Sequence, residues 1–438
     1  MESILNCPLA GSCLAHLQVG PADLSSSPAW SSCLAPAEHR TFATSSAATS
    51  GADELVKIGF VGAGGVSFGT AEGPWNHSVR LEKQPNVQFT AIIDPNLDLA
   101  QKRVDDLSKG SYGHKWKGCP VYKSYQAMLE ESKQENRPDA MIIGVPPMLH
   151  GSLDVPSSAM ELDLAKAGMH MLVEKPISMR PAEEVERLAQ VLHEMADEKK
   201  LVIAVGYMLR YNPAIETAKA LLKELGRPLT SIVGRYNCTY NNIYKPQWWH
   251  TLQSGGCIVE QATHFVDAMR YLSGSELDRD SIRAVAVGPD MKLSDMPPPP
   301  HAEHEVPYDM RVNRATLAVF KFESGAVGSL NHTLLMHGQN FFTELDIFGD
   351  GFHIIVRDPY QKPAVIVRRP NSNDYEQVPL DLGRDMYEKQ FDAFLHAVRT
   401  GDQSDVRCLF HDAARTYETS WWISAAAGSP VPDSSVPE

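Results

Sequence analysis

The stretch Met171–Pro176, with the sequence MLVEKP, decides the fold prediction. Three apolar residues lead directly into an acid, a base and a proline, and they follow a helix-like segment that stops at Gly168. A short apolar run in this setting is typical of a buried strand in a parallel sheet. Because ligands bind at the carboxyl ends of such strands, Lys175 is predicted to stand at a ligand crevice. The alternative is a strand that stops in a charged surface turn.

The composition limits the classes of protein to which this chain can belong. A length of 438 residues suggests two domains. The formal net charge is −14 and no basic stripe is present, which argues against nucleic acid or an anionic membrane surface as a partner. No apolar run approaches the roughly 20 residues that a membrane-spanning helix needs. The seven cysteines are scattered without a C-x-x-C pair, so we predict a reducing, cytoplasmic compartment with neither disulfides nor a zinc site.

Both ends of the chain differ from the rest in composition. Residues 1–53 are predicted to form a disordered leader, because this region is rich in Ser and Ala and poor in basic residues. The stretch Arg40–Ser45 resembles a mitochondrial processing site, which leaves a mitochondrial location as an alternative. Acidic residues in the same region argue against a transit peptide. Residues 428–438 are predicted to form a disordered tail.

A glycine-rich loop follows the first predicted strand, Leu55–Val61. Gly62 permits a tight turn and Gly64 lets the backbone approach a pyrophosphate, so the loop matches a dinucleotide-binding fingerprint. Gly65 and Val66 complete the predicted cofactor-binding loop. The alternative is a plain turn after the strand.

This loop departs from the usual fingerprint at two points. Ser67 stands where a third glycine or an alanine is usual. The pair Gly73-Pro74 interrupts any helix that begins at Val66. We therefore predict that the helix begins at Pro74, because proline is favoured at the first helical position.

An acidic residue, Asp94, ends the second predicted strand, Val87–Ile93. A carboxylate at this point accepts hydrogen bonds from the ribose hydroxyls of adenosine and repels a 2′-phosphate. No Arg or Lys occurs in the following segment Pro95–Leu99, so we predict that the cofactor is NAD rather than NADP. The alternative is that Asp94 serves only as a helix cap.

Two more strands end at the same predicted edge of the sheet. The strand 139–145 ends at Val145 and runs into Pro146 and His150, while the MLV strand ends at Glu174. We predict cofactor contacts from these four residues. Helical stretches alternate with strands throughout residues 54–206, which is the pattern of a doubly wound parallel sheet, and we predict an NAD-binding domain with these bounds.

The pattern changes after residue 206. Successive strand-like runs between residues 231 and 368 occur without intervening helices, which favours an antiparallel sheet and an α+β second domain. We predict that this domain spans residues 207–427. The pair His301 and His304 could bind a metal, but the surrounding proline-rich loop favours a solvated segment, and no metal site is predicted.

A glycine-initiated stretch of the second domain, Gly255–Asp267, carries a second candidate site. Glu260 and His264 are four residues apart and would share one face of a helix. A carboxylate at that distance can orient an imidazole and raise its basicity. The alternative is a core helix with a Glu/His pair on its surface. Upstream, the aromatic segment that contains Trp249 suits the face of a sugar, although adjacent tryptophans are as often core or interface.

The chain resembles the Gfo/Idh/MocA family (glucose–fructose oxidoreductase, inositol dehydrogenase, rhizopine catabolism protein). The resemblance covers roughly residues 54 to 427 and rests on Gly62–Gly65, Asp94, Pro146–His150, Glu174–Pro176, Gly206–Pro213 and Gly255–Asp267. It implies a Rossmann domain joined to an α/β domain whose large open sheet, mostly antiparallel, makes a homodimer or homotetramer interface. It also implies a cis Lys175–Pro176 bond.

The resemblance assigns the catalytic roles. The lysine of the family falls on Lys175 and its histidine on His264, while Glu260 replaces the usual aspartate four residues earlier. We predict that His264, oriented by Glu260, takes the proton of a substrate hydroxyl while Lys175 polarises its oxygen. Substrate contacts are predicted from Lys175, Arg210, Trp249 and His264, and no metal is needed.

Three functions remain open from the sequence. The first is an NAD-dependent dehydrogenase acting on a secondary alcohol of a sugar, polyol or related cyclic compound. The second is another enzyme on the same scaffold, such as a reductase of a dihydrodiol or secondary metabolite, or a redox-assisted eliminating enzyme. The third is a non-catalytic regulator that senses a dinucleotide, which the presence of both Lys175 and His264 argues against.

Overall fold

The computed structural model describes residues 54–70, 75–239, 246–291, 303–336 and 341–433. Several predictions concern segments outside these residues: the leader 1–53 with its Arg40–Ser45 stretch, the helix start at Pro74, and His301. In the part of the chain that is described, no helix is long and apolar enough to cross a membrane.

The first sheet has six parallel strands in the order β3-β2-β1-β4-β5-β6. The strands are β1 Val56–Val61, β2 Val87–Ile93, β3 Val121–Tyr122, β4 Ala140–Ile143, β5 His170–Val173 and β6 Ile203–Val205. This order confirms the predicted doubly wound parallel sheet. The short strand β3 was not predicted from the sequence, and it forms because Ile92 and Ile93 of β2 pair with it.

Six helices connect and cover these strands. They are α1 Gly65–Phe68, α2 His77–Leu81, α3 Leu97–Leu107, α4 Tyr125–Glu131, α5 Met160–Lys166 and α6 Ala182–Lys199. Side chains cap several of their amino ends: Asn96 accepts a hydrogen bond from Leu99 N, and Ser124 accepts one from Ala127 N. Helix α1 is a single turn, and α2 begins at His77, after its cap residue Asn76.

The second sheet has eight strands in the order β14-β13-β12-β11-β7-β10-β9-β8. Its strands are β7 Leu229–Thr239, β8 Leu277–Val287, β9 Ala315–Phe322, β10 Val327–Met336, β11 Phe341–Gly349, β12 Phe352–Arg357, β13 Ala364–Arg368 and β14 Glu376–Val378. Among the described strands of this sheet only the pair β7 and β10 is parallel, so the prediction of a mostly antiparallel sheet is confirmed.

Helices of the second half of the chain cover one face of this sheet, and one of them also packs against the parallel sheet. They are α7 Pro213–Leu225, α8 Thr251–Ser254, α9 Thr263–Ser273, α10 Met386–Thr400 and α11 Phe410–Ala426, with a π-helical turn at Cys257–Ala262 before α9. Phe391 and Phe394 of α10 pack in the same core as Phe60 and Phe89 of the parallel sheet. The last helices therefore fix the two sheets against each other, while the predicted domain boundary at residue 206 stays a prediction.

Candidate active site

Lys175 is the second residue after β5, at the carboxyl edge of the parallel sheet. Its Nζ donates to the carbonyl oxygen of Glu260 at 2.6 Å and to the carboxylate oxygen Oε1 of Glu260 at 3.0 Å. The Lys175–Pro176 peptide bond is cis, as the resemblance implied. The lysine thus bridges the strand end of the first sheet and the π-helical turn of the second half.

The π-helical turn determines how Glu260 is presented. Gly255 and Gly256 precede it with φ values of +87° and +64°, and a side chain at Gly255 would lie 2.6 Å from Val259. Such backbone angles are readily adopted only by glycine. In a π-helical turn the hydrogen bonds run from i to i+5, and turns of this kind are frequent at functional sites. Here the turn leaves both the carbonyl and the carboxylate of Glu260 bonded to Lys175.

This contact corrects the predicted role of Glu260. The sequence predicted an α-helical face on which Glu260 would orient His264. In the structure the Glu260 carboxylate is bonded to Lys175, and within the described residues Nδ1 of His264 has no hydrogen-bond partner. The physical reason is the widened turn, which changes the angular relation between positions 260 and 264.

His264 is buried at the start of α9. The rings of Tyr207 and Tyr360 meet it edge-on, with centroids at 6.0 Å and 6.3 Å. Burial lowers the pKa of His264 well below its ordinary value, and the positive charge of Lys175 lowers it further. The imidazole is therefore neutral near pH 7 and able to accept a proton.

The glycine loop after β1 is shaped by two different requirements. Gly62 has a φ of +96°, and a Cβ there would lie 2.7 Å from the carbonyl oxygen of Gly144. A Cβ on Gly64 would meet nothing within 4 Å, so space is open beside this backbone. Ser67 packs close to Gly144, because a Cβ on that glycine would lie 2.7 Å from Ser67 Oγ. Helix α1 can thus pack closely on the end of β4 because Gly144 has no side chain. The small residue that the usual fingerprint has at position 67 is not needed for this packing.

Asp94 ties the end of β2 to this loop. Its Oδ2 accepts from Ala63 N at 2.8 Å, and its Oδ1 accepts from Asn96 N at 2.8 Å. The cap of α3 is the Asn96 side chain, so Asp94 is more than a helix cap. Arg103 of α3, which the sequence reasoning missed, donates to Ala63 O at 3.3 Å. The open space at Gly64 and this carboxylate fit the pyrophosphate and the adenosine ribose of NAD.

The other predicted cofactor contacts lie at the same edge of the sheet. Val145 and Pro146 follow β4, and Val145 reaches toward the glycine loop, within 3.0 Å of where a Gly62 Cβ would stand. His150 is buried, with Nδ1 at 2.5 Å from Glu161 Oε1. Its imidazole is therefore oriented by a partner within the protein, and contact of these residues with cofactor stays a prediction.

Glu174 is held by a histidine that the sequence reasoning did not single out. Its Oε1 lies 2.7 Å from Nε2 of the buried His77, and its carboxylate packs against Gly206, where a Cβ would lie 2.8 Å away. The Glu174 side chain is thus held by a contact with α2 and by packing against the turn after β6. No local signal marked His77, because it follows a long loop whose path the sequence does not determine.

Arg210 and Trp249 do not occupy the predicted substrate positions. Arg210 is buried, and its guanidinium bonds to Asp267 at 2.9 Å and 2.7 Å and also to Asp412. Trp249 has no exposed surface and belongs to the core of the second half, with Arg314 6.0 Å from its ring. Both residues are structural here, which corrects the prediction that they contact substrate. For Trp249 the alternative of a core position is the correct one.

Within the described residues, no group of three or more His, Cys, Asp or Glu side chains is placed to hold a metal ion. The aromatic residues beside His264 were also missed by the sequence reasoning. Tyr207 carried a weak signal, because it follows directly on the last strand of the parallel sheet. Tyr360 carried none, since it lies in the loop between β12 and β13.

Comparisons with known proteins agree with this fold. A family model described as "Oxidoreductase family, NAD-binding Rossmann fold" matches residues 56–207, and an oxidoreductase C-terminal domain model matches residues 210–352. An uncharacterized protein of Schizosaccharomyces pombe is 35% identical over 84% of this chain and 91% of its own length. Levoglucosan dehydrogenase of Pseudarthrobacter phenanthrenivorans is 25% identical over 48% of this chain and 54% of its own length.

Among solved structures, a levoglucosan dehydrogenase in complex with NADH is similar in fold, with a TM-score of 0.65 and 20% identity, covering 86% of this chain and 97% of the other. The fold and the glycine loop define an NAD-dependent oxidoreductase that acts on CH–OH groups. More particularly, the chain belongs to the Gfo/Idh/MocA family. The predicted family, enzyme class and cofactor are thereby confirmed.

Proposed function

We propose that this enzyme transfers hydride between NAD and a secondary alcohol of a sugar, polyol or related cyclic compound, with Lys175 and His264 acting on the alcohol oxygen. The observation that carries the proposal is the contact of Lys175 Nζ, at the carboxyl edge of the parallel sheet, with Glu260, four residues before His264. Relatives named as levoglucosan dehydrogenase and myo-inositol 2-dehydrogenase support this substrate class.

His264 serves as the proton acceptor when the alcohol is oxidised. Because burial and Lys175 keep its pKa low, the imidazole is neutral over the working range and is ready to take the hydroxyl proton. In the reducing direction the same residue returns that proton. A correctly positioned acid or base of this kind contributes about 10²–10⁴ in rate.

Lys175 serves as the hydrogen-bond donor to the alcohol oxygen. Its Nζ already donates to the carbonyl oxygen and to the carboxylate oxygen Oε1 of Glu260, so its position is set before substrate binds. The Glu260 carboxylate offsets part of the positive charge of Lys175, and the lysine still lowers the pKa of His264.

The residues that would hold NAD are the glycine loop around Gly64, Asp94 at the adenosine ribose, and Val145 and Pro146 after β4. When bound, NAD would supply the acceptor for the hydride. Asp94 supports NAD over NADP because its carboxylate, bonded to Ala63 N and Asn96 N, places negative charge where a 2′-phosphate would stand.

A second candidate is reduction of a dihydrodiol or another cyclic metabolite by the same residues. The ring of Tyr360 beside His264, with Tyr236 and Phe341 packed against it, favours this candidate, because flat apolar rings suit a cyclic compound as well as the carbon face of a sugar. Retention of Lys175 and His264 argues against a non-catalytic sensor of dinucleotides, since binding alone needs neither.

We also propose that the enzyme forms a homodimer or homotetramer through the outer face of the second sheet. That face exposes apolar side chains on neighbouring strands, including Val285 of β8, Leu317 and Val319 of β9, and Val327 of β10. Contiguous apolar surface of this kind marks interaction sites. Light scattering on the full chain tests the proposal: Leu317→Glu is expected to produce monomers, and a monomeric wild type would contradict it.

We further propose that the protein resides in a reducing compartment, the cytoplasm. Cys119, Cys238, Cys257 and Cys408 are free thiols, and all but Cys257 are buried. Fractionation of cells that express the full chain tests this location. Recovery in the mitochondrial matrix, with cleavage near Arg40–Ser45, would contradict it.

The substrate class is tested by a screen of inositols, aldoses, sugar acids and dihydrodiols with NAD and NADP, monitored by nicotinamide absorbance. We expect NAD-dependent oxidation of at least one cyclic polyol or sugar. Turnover of dihydrodiols alone would favour the second candidate. Tight binding of NADH with no turnover of any compound in either direction would contradict both.

A further inference from the structure

Three side chains lie side by side, on neighbouring strands, on the buried face of the second sheet. In the register of the strands, Tyr236 of β7 pairs with His332 of β10 on one side and with Thr343 of β11 on the other. All three side chains are buried. Directly opposed residues on neighbouring strands point to the same face, so they form one polar and aromatic floor beneath the helices. The rings of Tyr236 and His332 stack at 5.6 Å.

This floor continues to the catalytic histidine through Tyr360. The Tyr360 ring lies 5.9 Å from the ring of Tyr236, and its distance to the ring of His264 is 6.3 Å. Phe341 stacks on Tyr360 at 6.0 Å. The sheet face and the residue that accepts the proton are therefore connected by a single continuous aromatic surface.

Four buried polar atoms without a partner lie on this surface. Within the described residues, Tyr360 Oη, His264 Nδ1, His332 Nδ1 and Thr343 Oγ1 have no hydrogen-bond partner. Native proteins pair the great majority of their buried polar groups, and each unpaired group needs an explanation. Four unpaired atoms on one surface beside a catalytic residue fit a site whose partners come from a ligand.

Tyr360 is the member whose hydrogen-bonding role is best defined. Burial raises the pKa of its hydroxyl well above the ordinary value, so the group stays neutral and keeps its proton. The Tyr236 hydroxyl lies within reach of the Tyr360 oxygen and, acting as a donor, lowers the pKa of Tyr360, although the contact does not have the geometry of a standard hydrogen bond. Tyr360 therefore holds a buried donor that lacks an acceptor.

We propose that Tyr360 is a substrate-recognition residue whose hydroxyl donates a hydrogen bond to a second oxygen of the substrate, beside the oxygen that reacts. This inference rests on the proposed function, because it places a polyhydroxylated ring between Lys175 and the floor. The rings of Tyr236, Phe341 and Tyr360 contact the carbon face of that ring, and the Tyr360 hydroxyl selects compounds with an oxygen next to the reacting carbon.

The substitution Tyr360→Phe isolates the hydroxyl, because it removes one oxygen and keeps the ring. We expect KM for the best polyol or sugar to rise about 5- to 100-fold, since a substrate oxygen in the site loses its donor. NADH affinity should be unchanged. Thermal stability of the free enzyme should change little, because among the described residues the proton of the lost hydroxyl has no acceptor.

A matched control comes from another buried tyrosine, Tyr417, whose hydroxyl donates to Arg180 O at 2.6 Å. Tyr417→Phe removes a satisfied hydrogen bond in the core, so its thermal stability should fall while KM stays at the wild-type value. A deoxy analogue of the substrate adds a second check. Tyr360→Phe should not weaken the binding of the analogue that lacks the contacted oxygen.

The outcomes separate this inference from the proposed function. Unchanged KM in Tyr360→Phe, with normal oxidation of polyols, would overturn the role of Tyr360 and leave the proposed function intact. Weakened polyol binding by the variant, measured calorimetrically in the presence of NADH, would support the role even if wild type turned over none of the panel. Failure of wild type to bind any polyol would overturn both.

Discussion

The Nζ atom of Lys175 lies 2.6 Å from the carbonyl oxygen of Glu260 and 3.0 Å from its carboxylate oxygen Oε1. These two contacts join the edge of the parallel sheet to the π-helical turn ahead of His264. The carboxylate that the family pattern places beside the histidine is here engaged with the lysine. Glu260 is thus a positioning residue for Lys175, and its length and charge are separately testable.

Substitution of Glu260 tests this pairing. Glu260→Gln keeps the length and removes the charge, and turnover should fall about 10- to 100-fold because a charge-assisted hydrogen bond to Lys175 is weakened. Glu260→Asp keeps the charge but shortens the reach, and it should also lower turnover. NADH affinity, measured by fluorescence titration, should be unaffected by either change. Higher turnover in Glu260→Asp would show that the glutamate is not matched to the lysine.

The pH dependence of alcohol oxidation reports on His264. Its pKa lies well below the ordinary value because of burial and then of Lys175, so protonation of the free enzyme occurs only at correspondingly lower pH. We expect kcat/KM for oxidation to stay level as the pH falls through 6.5 and to decline only below that. A decline centred at or above pH 6.5 would mean that the histidine is solvated or paired with a carboxylate.

Cofactor preference follows from the negative charge of Asp94. Asp94→Asn should weaken NADH binding about 10-fold or more, because hydrogen bonds of a carboxylate to ribose hydroxyls are lost, and it should reduce discrimination against NADPH. Asp139 offers a matched control, since its carboxylate accepts from Lys57 N at 2.8 Å at the opposite end of the sheet. Asp139→Asn should leave both affinities at wild-type values. Equal loss of affinity in the two variants would contradict the assignment of Asp94.

The buried ion pair between Arg210 and Asp267 predicts a structural phenotype. Arg210→Met leaves the Asp267 carboxylate buried without its charge partner, which should lower the free energy of unfolding by about 3–5 kcal/mol in urea titrations. KM of the folded fraction should not change. Arg227 provides the comparison, because its ion pair with Asp350 is exposed and its loss should have little effect. A rise in KM without loss of stability would indicate instead that Arg210 contacts substrate.

Much of the fold could be predicted from the sequence because its strands are compact apolar runs. The predicted strand Val87–Ile93 matches the structure, and β9 Ala315–Phe322 lies in the region where strand-like runs were predicted. The short strands β3 and β14 were missed, since they exist through pairing with a neighbour rather than through an apolar pattern of their own. The glycine loop and Asp94 were located correctly because both follow strong strands.

The site was less accessible to sequence reasoning wherever it depends on distant contacts. Lys175 and His264 could be identified from motifs, but the partner of Glu260 depends on a π-helical turn that a regular period of 3.6 residues does not reveal. Arg210 was misassigned because Asp412, one of its partners, lies about two hundred residues away. Tyr360 was missed because only the folding of the second sheet brings it beside His264.

The central claim is that Lys175 and His264 act together on one alcohol oxygen, and its most direct test is a double-mutant cycle on turnover. Lys175→Met, His264→Asn and the double variant are compared at saturating NAD, with Lys219→Met as a control, because Lys219 is also partly buried but bonds to Tyr271 O.

We predict that each single change lowers kcat about 10²–10⁴-fold with NADH affinity intact. The double variant should be far less impaired than the product of the two losses, because residues that act as a unit are not additive. Near wild-type turnover in either single variant, with the cofactor still bound, would contradict the claim.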